Sequence, residues 1–266
     1  MVKTTEKAID EISVGKRAWA ELIGTFVLVF LGTSAVVAAV LLNQGWESPA
    51  NNTFFVGFGV SDWVGIAIVF GIALTVMIYT FGPISGAHLN PAVSIALWAT
   101  KRLPTSDMLM YVLFQCVGAS LASLAVVLIF GIRPTDVGLG ATTMVADTTY
   151  AQAILCEALV TFILMLTIMG SAVDKRAPVG FAGLAIGLVV VGSIIAIGNV
   201  TGGSLNPART FGPYIAMSAV YGIHLWWQFP IYLFGPVIGA TAAAFLYDAV
   251  AETEETKMKM ISTTKL

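Results

Sequence analysis

Two copies of one short pattern carry most of the chemistry available to this chain: Ser85–Ala92, which reads SGAHLNPA, and Thr201–Ala208, which reads TGGSLNPA. Each contains asparagine, proline and alanine in succession, Asn90–Pro91–Ala92 and Asn206–Pro207–Ala208, and each runs into a short apolar segment, Ala92–Ala99 and Ala208–Met217. Asparagine followed by proline is a strong helix start. The side-chain amide caps free backbone N–H groups, and proline at the first helical position has no N–H to satisfy. Neither segment is long enough to cross a bilayer. The residues just before, Gly86, Ala87, His88 and Leu89 in one copy and Gly202, Gly203, Ser204 and Leu205 in the other, can present backbone carbonyls as a ladder of acceptors. Amide donors beside such a ladder suit a neutral molecule that both donates and accepts hydrogen bonds. A cation would meet the positive ends of two helices and no full ring of replacement ligands.

Arg209 directly follows the second motif. Its fixed fork of donors can serve a hydroxyl or water, and its permanent charge repels cations. Glu21 and Glu157 lie inside apolar runs, where a carboxylate is functional by default. Two roles are open to them on the residues alone: a proton relay, or a brace that accepts hydrogen bonds from the backbone of the motif loops. His88 is open to two roles as well, a pH-dependent gate or a neutral packing residue.

The elements that hold these residues are read from composition and hydropathy. Of 266 residues, 58% are hydrophobic and 11% charged, against about a quarter charged in a soluble domain. Six apolar runs are expected to span a membrane as helices: Ala18–Leu42, Trp63–Phe81, Met108–Ile132, Ala151–Val173, Val179–Val200 and Leu225–Tyr247. Lys16, Arg17, Lys101, Arg102, Lys175, Arg176, Lys257 and Lys259 all fall on one side of that topology. Arg133 and Arg209 are the positive residues of the other side. The excess places both termini in the cytoplasm. Asn51–Asn52–Thr53 matches a glycosylation pattern on the outer side. The net charge of −2 offers no argument for nucleic-acid binding, and two cysteines, Cys116 and Cys156, are expected as buried small hydrophobes. Two histidines and scattered thiols indicate no metal site, and no cofactor is expected.

The chain also repeats itself. AELIGTFVLVF at Ala20–Phe30 aligns with CEALVTFILML at Cys156–Leu166, so that Glu21 pairs with Glu157 and Asn90 with Asn206. The first half is longer between these landmarks, and the extra length is expected in Gln44–Asp62. Three spans per half is an odd number, so the second half enters the membrane from the opposite side. The result is an inverted repeat with two re-entrant half-helices meeting head to head near the midplane. The expected organisation is one channel domain over residues 1–249, with repeats over about 17–132 and 149–249, and a flexible cytoplasmic tail over 250–266.

At SGAHLNPAV and TGGSLNPARTFGP the chain resembles the aquaporin family, the major intrinsic proteins, and its pattern is especially similar to the archaeal aquaporins. The resemblance covers nearly the whole span region, Trp19 to Tyr247. It implies an all-α integral membrane fold of six tilted helices around two half-helices, a homotetramer with one pore in each protomer, and passive flow of water and small neutral solutes across the cell membrane. It favours the bracing role for Glu21 and Glu157; His88 is expected to be a neutral residue that packs its loop, with its backbone carbonyl facing the pore. It also implies a narrower filter near the outer mouth at Phe70, Ile194, Gly203 and Arg209. Strict water channels of the family usually carry histidine where Ile194 stands, so this filter is expected to be wider and greasier. Glycerol channels usually carry aspartate after the motif arginine, where this chain has Thr210, and Tyr232–Leu233 match neither subgroup's usual pair. Water is therefore the expected main substrate, with slower glycerol passage. The alternatives are an aquaglyceroporin and a gradient-coupled transporter. A transporter would want carboxylates converging on a central substrate, and a membrane enzyme would want a nucleophile–base or metal constellation.

Overall fold

The structure, a computed structural model, describes residues 12–44, 58–131 and 138–251. The glycosylation pattern at Asn51–Asn52–Thr53, Arg133, and the expected tail from residue 252 onward lie outside them. The described residues form α1 (Val14–Gln44), α2 (Val60–Ser85), α3 (Pro91–Ala99), α4 (Thr105–Phe130), α5 (Tyr150–Ile168), α6 (Ala182–Thr201), α7 (Pro207–Tyr221) and α8 (Phe229–Ala251). A π-helical turn, Met169–Val173, extends α5, and a 3-10 turn, Trp226–Gln228, leads into α8. Six of these helices are long and apolar enough to cross a membrane, with mean hydropathy of 1.7 to 2.5 in their most apolar windows. Helix is the form such segments take, because lipid offers nothing to a free backbone N–H or C=O.

The span ends shift by a few residues from the hydropathy reading. Helix α2 continues past Phe81 and through Pro83 to Ser85. Proline near the C-terminal end removes a single ladder bond, and Gly86, at φ 87°, then closes the helix with its N–H on Gly82 O. Helix α8 runs to Ala251, past the span end expected at Tyr247; YDAVA contains no glycine or proline to stop it.

Helices cross where glycine lets backbones touch. A Cβ on Gly118 of α4 would lie 2.3 Å from Leu22 O of α1, and one on Gly239 of α8 would lie 2.0 Å from Ala158 O of α5. These two crossings are equivalents in the two halves. Gly71 of α2 and Gly187 of α6 face each other at the contact between halves, each within 2.7 Å of the other's carbonyl once a Cβ is added. Gly239→Ala is expected to push α5 and α8 apart and destabilise the protein by about 1–3 kcal/mol. Thermal unfolding in detergent checks this, with Gly192→Ala as comparison, since a Cβ there meets nothing within 4 Å. Equal melting temperatures would show that the crossing is not tight.

Ion pairs gather at the end where α1 starts and α8 finishes. Arg17 meets Asp107 at 2.7 Å, and Arg102 grips Asp248 at 2.8 and 2.6 Å. Arg176 beside Asp174 holds that carboxyl well below the usual carboxylate range, with help from the Arg176 backbone N–H and the Tyr247 hydroxyl. These contacts tie the turn after the π-helical segment to the end of α8.

Candidate functional site

Helices α3 and α7 begin in the middle of the molecule, and their starts are built alike. Asn90 caps α3, its Oδ1 accepting from Ala92 N at 2.9 Å, with Pro91 in the first turn. Asn206 caps α7, its Oδ1 accepting from Ala208 N at 3.0 Å and Arg209 N at 3.3 Å, with Pro207 in the first turn. The caps then cross. Asn90 Nδ2 donates to Leu205 O at 2.8 Å, and Asn206 Nδ2 donates to Leu89 O at 2.8 Å. The two helix N-termini are thus locked head to head. Each amide keeps one N–H that the lock does not use.

The loops that lead into these helices hold unusual backbone. Gly86, Ala87 and Leu89 have φ of 87°, 48° and 51°, and their counterparts Gly202, Gly203 and Leu205 have 80°, 58° and 55°. A left-handed residue costs roughly 1–2 kcal/mol when it carries a Cβ, so this shape has to be imposed. The buried carboxylates impose it. Glu21 accepts from Ser85 Oγ (2.6 Å), His88 N (2.9 Å), Leu89 N (2.6 Å) and Gln115 Nε2 (2.8 Å). Glu157 accepts from Thr201 Oγ1 (2.6 Å), Ser204 N (3.0 Å) and Leu205 N (2.9 Å). Tyr111 and Tyr232 complete the match, donating to Ser85 O at 2.7 Å and Thr201 O at 2.8 Å.

A cavity of about 210 Å³ runs along the locked asparagines. Gly86, Ala87, His88, Leu89, Asn90, Gly203, Ser204, Leu205 and Asn206 line it, facing apolar wall from Leu28, Val190 and Leu164 among others. Gly202 is not among the lining residues; it is the C-cap of α6 and packs toward Thr142. The Leu89 and Leu205 carbonyls already accept from the crossed amides, so they offer less to a solute than the other carbonyls expected there. Pro91, Ala92, Pro207 and Ala208 are buried in the helix starts and stay off the wall. The His88 ring sits against Tyr111, with Nδ1 3.1 Å from Ser94 Oγ.

Phe70, Ile194, Gly203 and Arg209 share one stretch of the same cavity. The Arg209 guanidinium stands 4.9 Å over the Phe70 ring. A Cβ on Gly203 would lie 3.3 Å from Ile194 Cα and Cγ1, which puts these two in contact across the wall. Arg209 is 4% exposed; its Nη1 donates to Gly140 O at 2.7 Å, and its Nε has no protein partner. The guanidinium is thus anchored to backbone on one side while the residue lines the cavity beside Phe70.

Several contributors are invisible in hydropathy. Gly140 belongs to a segment with left-handed residues at Gly138, Leu139 and Gly140, which carries its carbonyl to Arg209. The two glycines of GLGATT mark a tight turn there but do not name its partner. Gly32 of α1 makes room for the Phe70 ring, where a Cβ would lie 2.1 Å from the ring edge. Among the described residues there is no group of three His, Cys, Asp or Glu able to hold a metal ion.

A family model described as Major intrinsic protein matches residues 8–247. The probable aquaporin AqpM of Archaeoglobus fulgidus is 50% identical over 246 residues, covering 91% of this chain and 99% of that protein. Aquaporin AqpM of Methanothermobacter thermautotrophicus is 48% identical, covering 89% of this chain and 97% of that protein. In shape the chain matches the X-ray structure of the aquaglyceroporin from Plasmodium falciparum with a TM-score of 0.76 and 26% identity, over 90% of this chain and 97% of that one.

Proposed function

The chain belongs to the major intrinsic protein family, and from that premise we propose that it is a passive channel for water, with slower passage of glycerol or other small neutral solutes and exclusion of ions and protons. The observation that carries this reading is the crossed asparagine pair beside the cavity. It fixes two helix N-termini against one lumen, so a cation faces an unfavourable field while a neutral molecule finds one free N–H on each side. Phe70, Ile194, Gly203 and Arg209 act as the selectivity filter in this reading. Glu21 and Glu157 act as braces, and the carbonyls of Gly86, Ala87, His88, Gly203 and Ser204 as acceptors along the wall. The functional unit is one channel domain of two inverted repeats in a homotetramer, in the cell membrane with both termini cytoplasmic, and it carries out no covalent chemistry.

A second reading, with glycerol as main substrate, is favoured by the filter itself. Ile194 contributes an apolar wall and Gly203 no side chain, which leaves width for a carbon backbone. Stopped-flow volume changes of proteoliposomes separate the two. Fast water flux with weak glycerol flux is expected. Ile194→His is expected to lower glycerol passage about tenfold relative to water, by narrowing the filter and adding a polar wall. Glycerol flux in the native protein approaching that of water would make it an aquaglyceroporin, and no flux above empty vesicles would end the open-channel reading.

A further inference from the structure

Beside the filter a chain of buried hydroxyls joins two loops; Thr142 and Thr210 lie behind the cavity wall, and Ser204 belongs to it. Thr142 Oγ1 lies 2.7 Å from Thr210 Oγ1, which lies 2.7 Å from Ser204 Oγ. Ser204 Oγ in turn donates to Asn206 O at 2.9 Å. A carbonyl can only accept, so the bonds run in one order: Thr142 to Thr210, Thr210 to Ser204, Ser204 to Asn206. Thr142 and Thr210 are fully buried.

Thr142 lies two residues beyond Gly140, whose carbonyl accepts from Arg209. The intervening backbone starts in left-handed conformations at Gly138, Leu139 and Gly140, so the segment needs an outside tether to keep its shape. Tyr214 Oη on Thr142 O and Gln228 Oε1 on Met144 N tether it to α7 and to the turn before α8. The hydroxyl chain alone of these contacts reaches the asparagine loop.

The other half has a counterpart with a different root. Ser94, the equivalent of Thr210, donates to Asn90 O at 3.2 Å, lies 3.1 Å from His88 Nδ1, and accepts from Gln115 at 3.1 Å. Gln115 belongs to spanning helix α4. In the outer half the matching partner is Thr142, on the loop segment that holds the arginine.

We propose that the Thr142–Thr210–Ser204 bridge is the positioning element of the filter: it sets where Gly140 O holds the Arg209 guanidinium. This rests on Arg209 being part of the filter. Without the bridge the guanidinium loses its fixed anchor and swings toward acceptors in the lumen, obstructing flow.

Thr210→Val and Thr142→Val each cut the bridge with little change of volume. Each is expected to lower water permeability per channel at least threefold and to steepen its temperature dependence. After subtraction of the flux of empty vesicles, the second readout does not vary with the number of channels that fold, so a merely structural loss leaves it unchanged. The double variant is expected to be no worse than either single one, because both cut one device, and Thr210→Ser is expected to restore native behaviour. Should Thr210→Val not reconstitute, Thr142→Val decides, since it leaves α7 intact. Native permeability and temperature dependence in Thr142→Val, or fully additive effects in the double variant, would overturn the proposal while a changed glycerol-to-water ratio in Ile194→His keeps the filter reading. No change in Ile194→His either would remove the filter reading, and the proposal with it.

Discussion

Replacing Glu157 with alanine is expected to abolish channel-mediated water flux and to destabilise the protein by at least about 3 kcal/mol. Glu157 is fully buried and receives three donors, the Thr201 hydroxyl and the N–H groups of Ser204 and Leu205. Alanine leaves all three without an acceptor, and no lipid or apolar neighbour can replace it. The loop loses what holds Leu205 at φ 55°, so its carbonyl drifts from Asn90 and the lock opens. Glu157→Gln keeps one acceptor oxygen and points its amide at a donor, so an intermediate loss is expected. Thermal unfolding and stopped-flow water flux on the same preparations read both effects. A proton relay would give the opposite pattern, with water flux intact in the glutamine variant. Full flux in Glu157→Ala would sink the bracing account.

The second large effect is expected at the crossed asparagines. Asn206→Leu keeps the size of the side chain and removes three things together. The cap on Ala208 N and Arg209 N is typically worth about 1 kcal/mol. The bond to Leu89 O contributes about as much again. The third is the free N–H toward the lumen, where a molecule stripped of bulk water has few donors to turn to. Losing that donor raises the barrier by about 1–3 kcal/mol, so water flux per channel is expected to fall tenfold or more. Asn90→Leu should behave alike, because Asn90 makes the same kinds of contact with Leu205 and Ala92. The two losses of stability should combine to less than their sum, since both variants open one junction. Native unitary permeability in Asn206→Leu would show that the amide does not face the permeating molecule.

The parts of the molecule legible in the sequence are those with local causes. Asn90–Pro91 and Asn206–Pro207 start helices whatever surrounds them, and the long apolar runs are bound to be helical in lipid. The pairing of Glu21 with Glu157 could be read because the chain states it twice. What was hidden depends on distant partners. Nothing near Gly140 announces that its carbonyl will meet an arginine 69 residues away, and GLGATT has neither helical nor strand periodicity. The consumption of the Leu89 and Leu205 carbonyls was hidden for the same reason: the amides that occupy them come from the opposite half. Hydropathy ends the second span at Phe81 because Gly82–Pro83 reads as a break, although proline in a last turn loses only one bond.

The crossed amides also bear on how the protein is made. Leu205 lies 115 residues after Asn90, the amide that donates to it, and Asn206 reaches back 117 residues to Leu89. At a synthesis rate of about 5–20 residues per second, the first asparagine loop waits roughly 6–23 seconds for its partner to leave the ribosome. Through that interval its amide and the Leu89 carbonyl have no permanent mate, although Glu21 already holds the neighbouring N–H groups. The first three helices therefore enter the bilayer as an unfinished unit whose closing step belongs to the last third of the chain. A truncated product ending before Thr201 would keep that opening for its lifetime and present it to the quality-control machinery.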